Sequence, residues 1–170
     1  IWAENTFTLG RADYQRQYEP ILYGWPEGKC RHWCGDRDQG DVWQIKKPQK
    51  NDLHPTMKPV ELVERAIRNS SRPGDVVLDP FGGSGTTMIA AHKSGRKARL
   101  IELDTKYVDV IVRRWQDYAG AQATRQSDGA VFDTLSVGGE LRQEIAAGDV
   151  GHVADVAELA GGVGENHATD

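Results

Sequence analysis

The 170-residue chain lacks the features that mark several classes of protein. It has no apolar run near the ~18–20 residues of a membrane-spanning helix and no charged-then-apolar signal peptide. Its two cysteines cannot build a disulfide scaffold, so we expect a reducing, cytoplasmic location without membrane contact. The chain begins at Ile1 instead of a methionine, and we expect it to be part of a longer protein.

Charge is unevenly distributed along the chain. Residues 121–170 hold nine acidic and two basic residues, whereas residues 1–120 hold 19 basic and 16 acidic residues. A mildly basic body tolerates a polyanionic partner such as a nucleic acid. The acidic segment is rich in glycine and alanine and has a single aromatic residue. We therefore expect residues 121–170 to be a weakly structured, flexible tail.

Residues 1–50 are rich in aromatic side chains. The apolar stretch at residues 19–25 predicts a short buried strand, and the glycines and prolines over residues 24–50 predict a loop. Bases in this loop alternate with Trp33 and Trp43, a pattern that suits a DNA backbone and a stacked base. An ordinary solvated loop pinned by two tryptophans is the alternative. The candidate DNA-binding residues are Lys29, Arg31, Arg37, Lys46 and Lys47.

Residues 51–120 alternate between helical and strand patterns. They predict a helix from Pro59 to about residue 69, a strand over 75–79, a helix over 86–93, a strand over 97–102, and a third helix capped by Asp104. Such an order predicts an α/β fold with parallel strands.

A glycine-rich turn, DPFGGSG at residues 79–85, joins the first predicted strand to the next helix. Such a turn lets a ligand approach bare backbone at a helix N-terminus. A nucleotide-triphosphate loop needs Gly-Lys-Ser/Thr, but Gly85 is followed by Thr86 and Thr87. The dinucleotide pattern G-x-G-x-x-G also fits poorly. S-adenosylmethionine is the third candidate ligand, because Glu102 offers its ribose a carboxylate at the end of the second strand.

Residues 79–87 (DPFGGSGTT) resemble the donor-binding motif of bacterial and phage DNA methyltransferases that act on exocyclic amines. Residues 54–59 (HPTMKP) are similar to the second donor-binding motif of that family, with Met57 where the family usually has glutamine. Their order is that of the permuted, beta-type subgroup, in which the catalytic half precedes the donor-binding half. Residues 19–25 resemble the segment that follows the catalytic motif. The resemblance covers residues 1–120.

This resemblance implies a Rossmann-like, S-adenosylmethionine-dependent methyltransferase fold with an incomplete parallel sheet. It implies a partial catalytic-half strand and DNA-recognition loop over residues 1–50 and a donor-binding half over residues 51–120, followed by the acidic tail. The backbone of residues 81–85 would face the methionine part of the donor, with Asp79 near its ammonium group. Glu102 would bind the ribose hydroxyls, and Thr56 and Lys58 would close the far side. The implied donor-binding residues are Thr56, Lys58, Asp79, Pro80, Phe81, Gly82, Gly83, Ser84, Gly85, Thr86 and Glu102.

The family's chemistry uses an Asp/Asn/Ser-Pro-Pro-aromatic motif, but no two of the seven prolines here are adjacent. We therefore expect no catalytic residue in this chain and a catalytic half upstream of Ile1, in cis or on a partner chain. The implied reaction is methylation of a flipped base in double-stranded DNA, as in restriction–modification systems and prophages. Adenine N6 is the expected target in preference to cytosine N4.

Two alternatives of other classes stay open. The chain could be a decayed, non-catalytic module that binds S-adenosylmethionine or a protein, or a Rossmann oxidoreductase with atypical glycine spacing. Cys30, His32 and Cys34 could form half a zinc site, but no second cysteine pair exists. We expect two reduced thiols and no metal.

Overall fold

The computed structural model describes residues 1–47 and 57–136 of the chain. Its elements are β1 (Trp2–Thr8), β2 (Arg16–Glu19), β3 (Trp43–Gln44), α1 (Val60–Ser70), β4 (Val76–Asp79), α2 (Thr86–Lys93), β5 (Lys97–Leu100), α3 (Thr105–Ala119) and α4 (Phe132–Ser136). Across these two ranges, every helix is too short or too polar to cross a bilayer.

The central unit is a parallel pair of strands, β4 and β5, with Val76 opposite Lys97 and Asp79 opposite Leu100. Strand side chains alternate between faces, and Val77 packs with the buried alanines of α2 and Ile67 of α1. Val76 and Leu78 point the other way and are 60% and 65% exposed. Among the described residues, β5 is the only strand that pairs with β4.

Helix α2 has the predicted bounds, α1 begins and ends one residue later than predicted, and α3 begins directly after its predicted cap. No prediction covers the end of α3 or helix α4. Pro59 precedes α1 with an extended backbone, and the side chain of Asp104 caps α3 by accepting the Lys106 amide. Gly120, with a positive φ of 63°, ends α3. On α3, Ile111, Val112 and Trp115 are buried against α2 and β5. The predicted α/β fold with parallel strands is thus confirmed.

A second, mixed sheet has the strand order β2-β1-β3, and the buried Trp2 lies on its central strand. Trp2 donates from its indole nitrogen to the Ile45 carbonyl over 2.7 Å and packs against Leu62 of α1. The strand predicted over residues 19–25 is wrong. Strand β2 ends at Glu19 because Pro20 has no amide hydrogen to continue the pairing, and Leu22 beyond it is 97% exposed.

The first part of the predicted acidic tail packs onto the body. Thr124 pairs with Val131, and Ala123 is buried in the hydrophobic cluster of α3, with Phe132 against it. Residues 137–170 lie outside the described residues. The division into segments 1–50, 51–120 and 121–170 stays a prediction.

Candidate functional site

The carboxylate of Asp79 holds both ends of the glycine turn that follows β4. One oxygen accepts the Phe81 amide over 3.0 Å, and the other accepts the Thr87 hydroxyl over 2.6 Å. Asp79 thereby ties the end of the strand to the first turn of α2. Pro80, the residue between Asp79 and Phe81, is exposed. A carboxylate in this position supplies negative charge beside the turn.

Glu102, which follows β5, reaches across to the same turn. Its carboxylate accepts the Gly83 amide over 2.7 Å and the Asp104 amide over 3.0 Å. The backbone supports this approach, since the Gly82 amide donates to the Ile101 carbonyl over 2.9 Å. Asp79 and Glu102, separated by 23 positions in the sequence, therefore meet at one glycine turn. Each carboxylate oxygen retains a lone pair for a ligand hydroxyl or ammonium group.

Glycine is required at this turn for two different reasons. Gly83 and Gly85 have positive φ angles of 52° and 79°, which residues with a Cβ adopt only at a cost. Gly82 and Gly85 also pack on α3, where an added Cβ would lie 2.9 Å and 3.1 Å from side-chain atoms of Ile111. The turn is therefore closely fitted to α3 on one side and carries no side chains at its glycines.

Most of the turn's amides are used within the chain. Those of Phe81, Gly82, Gly83 and Gly85 each donate to a carboxylate or carbonyl oxygen. A ligand at the turn would meet glycine Cα groups, carbonyl oxygens and the first-turn amides at the positive end of α2. The Phe81 side chain is 85% exposed.

Ser84 and Thr86 have buried side chains that anchor the turn. The Thr86 hydroxyl donates to the Lys58 carbonyl over 3.2 Å. Arg114 of α3 donates to the Ser84 carbonyl over 3.0 Å and to both hydroxyl groups over 3.2 Å. Burial lowers the pKa of Arg114 from its ordinary value. No carboxylate of the described residues pairs with this guanidinium.

Arg114 is not among the site residues that the sequence motifs predict. Its signal is faint: it follows Ile111 by three positions, which places both residues on one face of α3. The neighbouring Arg113 is exposed, with its guanidinium over the Phe132 ring. Periodicity alone cannot show that the more buried of the two arginines reaches the Ser84 carbonyl.

The second predicted motif is only partly described. Residues 54–56, including the candidate residue Thr56, lie outside the described residues. The Lys58 ammonium contacts both carboxylate oxygens of Glu19, over 2.8 Å and 2.6 Å, and lies 5.6 Å from the Trp2 ring centroid. Lys58 therefore joins the glycine turn, through its carbonyl, to the β2-β1-β3 sheet, through its side chain.

The predicted DNA-recognition loop is attached to α1. The Cys34 amide donates to the Asn69 carbonyl over 2.8 Å, and the Gln39 and Asn69 side-chain amides exchange two hydrogen bonds of 2.8 Å. Trp43 packs against the Trp2 cluster, and the Arg65 guanidinium covers its ring at 4.7 Å. The Trp43 ring is therefore a structural anchor of the loop.

The candidate DNA-binding bases differ in their environment. Lys29, Arg31, Arg37 and Lys46 are exposed, whereas Lys47 pairs over 3.2 Å with the buried carboxylate of Glu4. Lys47 thus compensates a buried charge in the chain.

The two cysteines are free and exposed. The Cys34 sulfur lies 3.2 Å from the His32 ring nitrogen Nε2. Within residues 1–47 and 57–136, no three His, Cys, Asp or Glu side chains are grouped as metal ligands.

Residues 5–113, more than half of the chain, match the N6/N4 family of DNA methylases. The chain belongs to this family. It is 44% identical over 79 residues to DNA adenine methyltransferase YhdJ of Escherichia coli strain K12, covering 44% of this chain and 27% of that protein. It is 36% identical over 96 residues to the type II methyltransferase M.HinfI of Haemophilus influenzae, covering 51% of this chain and 27% of that protein.

A solved structure, the M1.HpyAVI–SAM complex, superposes on this chain with a TM-score of 0.57. It is 27% identical and covers 66% of this chain and 58% of its own. The chain thus has the Rossmann-like α/β fold of the methyltransferases. It spans about a quarter (27%) of the length of the curated relatives it matches.

Proposed function

We propose that this chain is the donor-binding part of a DNA amino-methyltransferase and binds S-adenosylmethionine at the glycine turn. The observation that carries the proposal is that Asp79 and Glu102 both bind the glycine turn after the parallel strands, Asp79 at Phe81 and Glu102 at Gly83. The donor has an amino-acid part and a ribose, and two carboxylates beside bare backbone suit both. A similar solved structure that is described as a SAM complex supports this proposal.

The proposed contacts are those that the family resemblance implies, and the geometry of Glu102 supports the ribose contact. Glu102 accepts hydrogen bonds from the ribose hydroxyls with the lone pairs left by the Gly83 and Asp104 amides. Asp79 faces the ammonium group, and residues 81–85 pass beneath the methionine part. We place Lys58, held by Glu19, at the far side of the pocket; the family resemblance implies the same role for Thr56, which lies outside the described residues. Bound S-adenosylmethionine would supply a methyl group from its sulfonium directly to an exocyclic amine. The carbon–sulfur bond would break as the carbon–nitrogen bond forms, the thioether product would leave, and the amine would lose a proton.

We propose adenine N6 in double-stranded DNA as the acceptor. The support is the relative from Escherichia coli, which is described as a DNA adenine methyltransferase. Base activation needs the Pro-Pro-aromatic motif, whereas the seven prolines here are all separate. We therefore place the base-activating residues on another segment, in cis or on a partner chain. A cytoplasmic location is proposed with this function.

A protein-binding module is the second candidate function. The observation that favours it is the exposed apolar face of β4, formed by Val76 and Leu78. Binding of S-adenosylmethionine separates the two candidates, because a module that binds only a protein does not require a donor site at the two carboxylates and the glycine turn.

The test is a calorimetric titration of the chain with S-adenosylmethionine, with circular dichroism to verify folding. We expect micromolar affinity, about −8 kcal/mol. Glu102→Gln keeps one acceptor oxygen, and we expect it to weaken binding at least about ten-fold, the usual cost of losing charged hydrogen bonds. Lys58→Ala should weaken binding as well.

Cys30→Ser is the matched control, because this exposed thiol belongs to the loop and not to the turn. It should bind as the parent chain does. A folded chain that gives no heat with S-adenosylmethionine would refute donor binding and favour the protein-binding module. Unchanged affinity in Glu102→Gln would refute the ribose assignment alone.

A further inference from the structure

A basic cleft of about 540 Å³ lies between the loop and the end of α1. Its walls include Trp33 and three arginines, Arg68, Arg72 and Arg96, and no lining residue is acidic. A concave surface of one charge sign concentrates ions of the opposite sign. The cleft is therefore suited to an anion.

The floor of the cleft contains a buried charge. Arg96 is only 8% exposed, and its guanidinium donates to the Ser71 hydroxyl over 3.1 Å, the Ser71 carbonyl over 2.7 Å and the Ser94 carbonyl. These acceptors carry no full charge, although Ser71 and Ser94 are the C-cap residues of α1 and α2 and lie at the negative ends of their dipoles. No carboxylate among the described residues pairs with Arg96. A desolvated cation without a counter-ion is costly. An anion in the cleft would offset that cost.

The surrounding charges leave the cleft positive. Arg68 and Lys93 share the single carboxylate of Glu64, so this trio has a net charge of +1. Arg72 has an exposed side chain, and the nearby Asp75 carboxylate accepts the Arg72 backbone amide. The anion would meet two guanidinium groups at the rim above the buried one.

The cleft is separate from the glycine turn. Arg72 and Arg96 precede β4 and β5, whereas the turn and Glu102 follow them. A four-residue strand spans about 13 Å, so the two sites lie at opposite ends of strands β4 and β5. An adjoining cleft shares Trp33 and adds Arg31 and Arg37. Together the two clefts form a basic track from the loop to the amino ends of the strands, with Asp36 as its one acidic lining residue.

We propose that the Arg72–Arg96 cleft binds a backbone phosphate of double-stranded DNA, away from the methylated base. The choice of DNA rests on the proposed function. Because phosphate contacts carry no sequence information, this site contributes affinity and orientation to duplexes of any sequence. The proposed DNA surface thus includes the end of α1 and the residues before β4, in addition to the loop that the sequence predicts to bind DNA.

The test is fluorescence anisotropy of the full 170-residue chain with a short dye-labelled duplex over a range of salt concentrations. Arg72→Gln changes an exposed side chain, and we expect it to weaken duplex binding about five-fold, the equivalent of one surface ion pair. The slope of log K against log[salt] should become less negative by about 0.9 for the lost phosphate contact. Affinity for S-adenosylmethionine should be unchanged.

Arg11→Gln is the matched control, since it removes the same charge from the exposed turn between β1 and β2. Equal losses in both variants would show a net-charge effect and overturn the proposal. An unchanged salt slope in Arg72→Gln, or no duplex binding by the parent chain, would overturn it too. If only binding of inorganic phosphate falls in Arg72→Gln, the cleft takes a free anion and the DNA assignment is wrong. Failure of donor binding alone leaves these outcomes intact.

Discussion

Gly82 and Gly85 both pack against Ile111, yet the same substitution should affect them differently. A Cβ at Gly82 would lie 2.9 Å from Ile111 Cδ1, the far end of a side chain. A Cβ at Gly85 would lie 3.2 Å from Ile111 Cα, which belongs to the backbone of α3. Gly85 also has a φ of 79°. The crowding at Gly82 can be relieved by a smaller neighbour, whereas the crowding at Gly85 cannot.

The magnitudes follow from these contacts. For Gly82→Ala, overpacking costs about 1–3 kcal/mol, partly offset by about 0.4–1 kcal/mol from a less flexible unfolded chain. We expect a net loss near 1 kcal/mol in the free energy of unfolding. For Gly85→Ala, a left-handed alanine adds about 1–2 kcal/mol to the same crowding. The expected loss is about 2–4 kcal/mol.

The assay is urea denaturation of the single variants and of their combinations with Ile111→Val, which removes Cδ1. Ile111→Val alone should cost about 0.5–1.5 kcal/mol. Combined with Gly82→Ala, it should cost about 1 kcal/mol less than the sum of the two single changes. Combined with Gly85→Ala, the effects should add within about 0.5 kcal/mol. Additivity at Gly82, or relief at Gly85, would refute this account of the turn.

Two further predictions concern Arg114 and Glu64. Arg114→Met keeps the length of the side chain but removes the hydrogen bond to the Ser84 carbonyl. We therefore expect a loss of about 1–3 kcal/mol in the free energy of unfolding, measured by urea denaturation, and weaker binding of S-adenosylmethionine, measured by calorimetry. Arg113→Met is the control. Burial by itself raises the pKa of Glu64, but hydrogen bonds from Lys93 and Arg68 outweigh it and lower that pKa below its ordinary 4.5. A lowered carboxyl pKa stabilises the fold above the unfolded value, and this stability is lost as the pH falls below 4.5 and through the folded-state pKa. Glu64→Gln should therefore destabilise the chain at neutral pH but not well below pH 4.5, as measured by denaturation at both pH values. The exposed Glu61→Gln on the same helix is the control and should show no such pH dependence. A loss of stability in Glu64→Gln that is independent of pH would contradict the ion-pair explanation.

Local signals explain why the segment from α1 to α3 could be predicted from the sequence. Pro59, Asp104 and Gly120 mark helix ends through their own backbone preferences, and the apolar residues repeat at helical spacing. Strands β1 and β3 could not be predicted in this way. They pair Trp2 with Trp43 across 40 residues of intervening chain, and a pairing of that kind has no local signature. The error at residues 19–25 has the same origin, since an apolar run does not reveal whether a partner strand exists.

The candidate site divides along the same line. Asp79 and Glu102 lie at the ends of two successive predicted strands, so the sequence could bring them together. Arg114 and the Lys58–Glu19 pair depend on how α3 and the second sheet are oriented, which only the packed structure determines. The charges of the loop predict that it is basic. Its position depends on the hydrogen bond from Cys34 to α1, which places the loop at the opposite end of strands β4 and β5 from the glycine turn.

The uncovered side of β4 has a consequence for handling and assembly. A strand edge with unpaired backbone groups is a template for another strand, and among the described residues only β5 occupies an edge of β4. Val76 and Leu78 add an exposed apolar face beside that edge. Purified alone, the chain should self-associate as its concentration rises. A segment or partner that supplies the added strand should act as its solubilising cap.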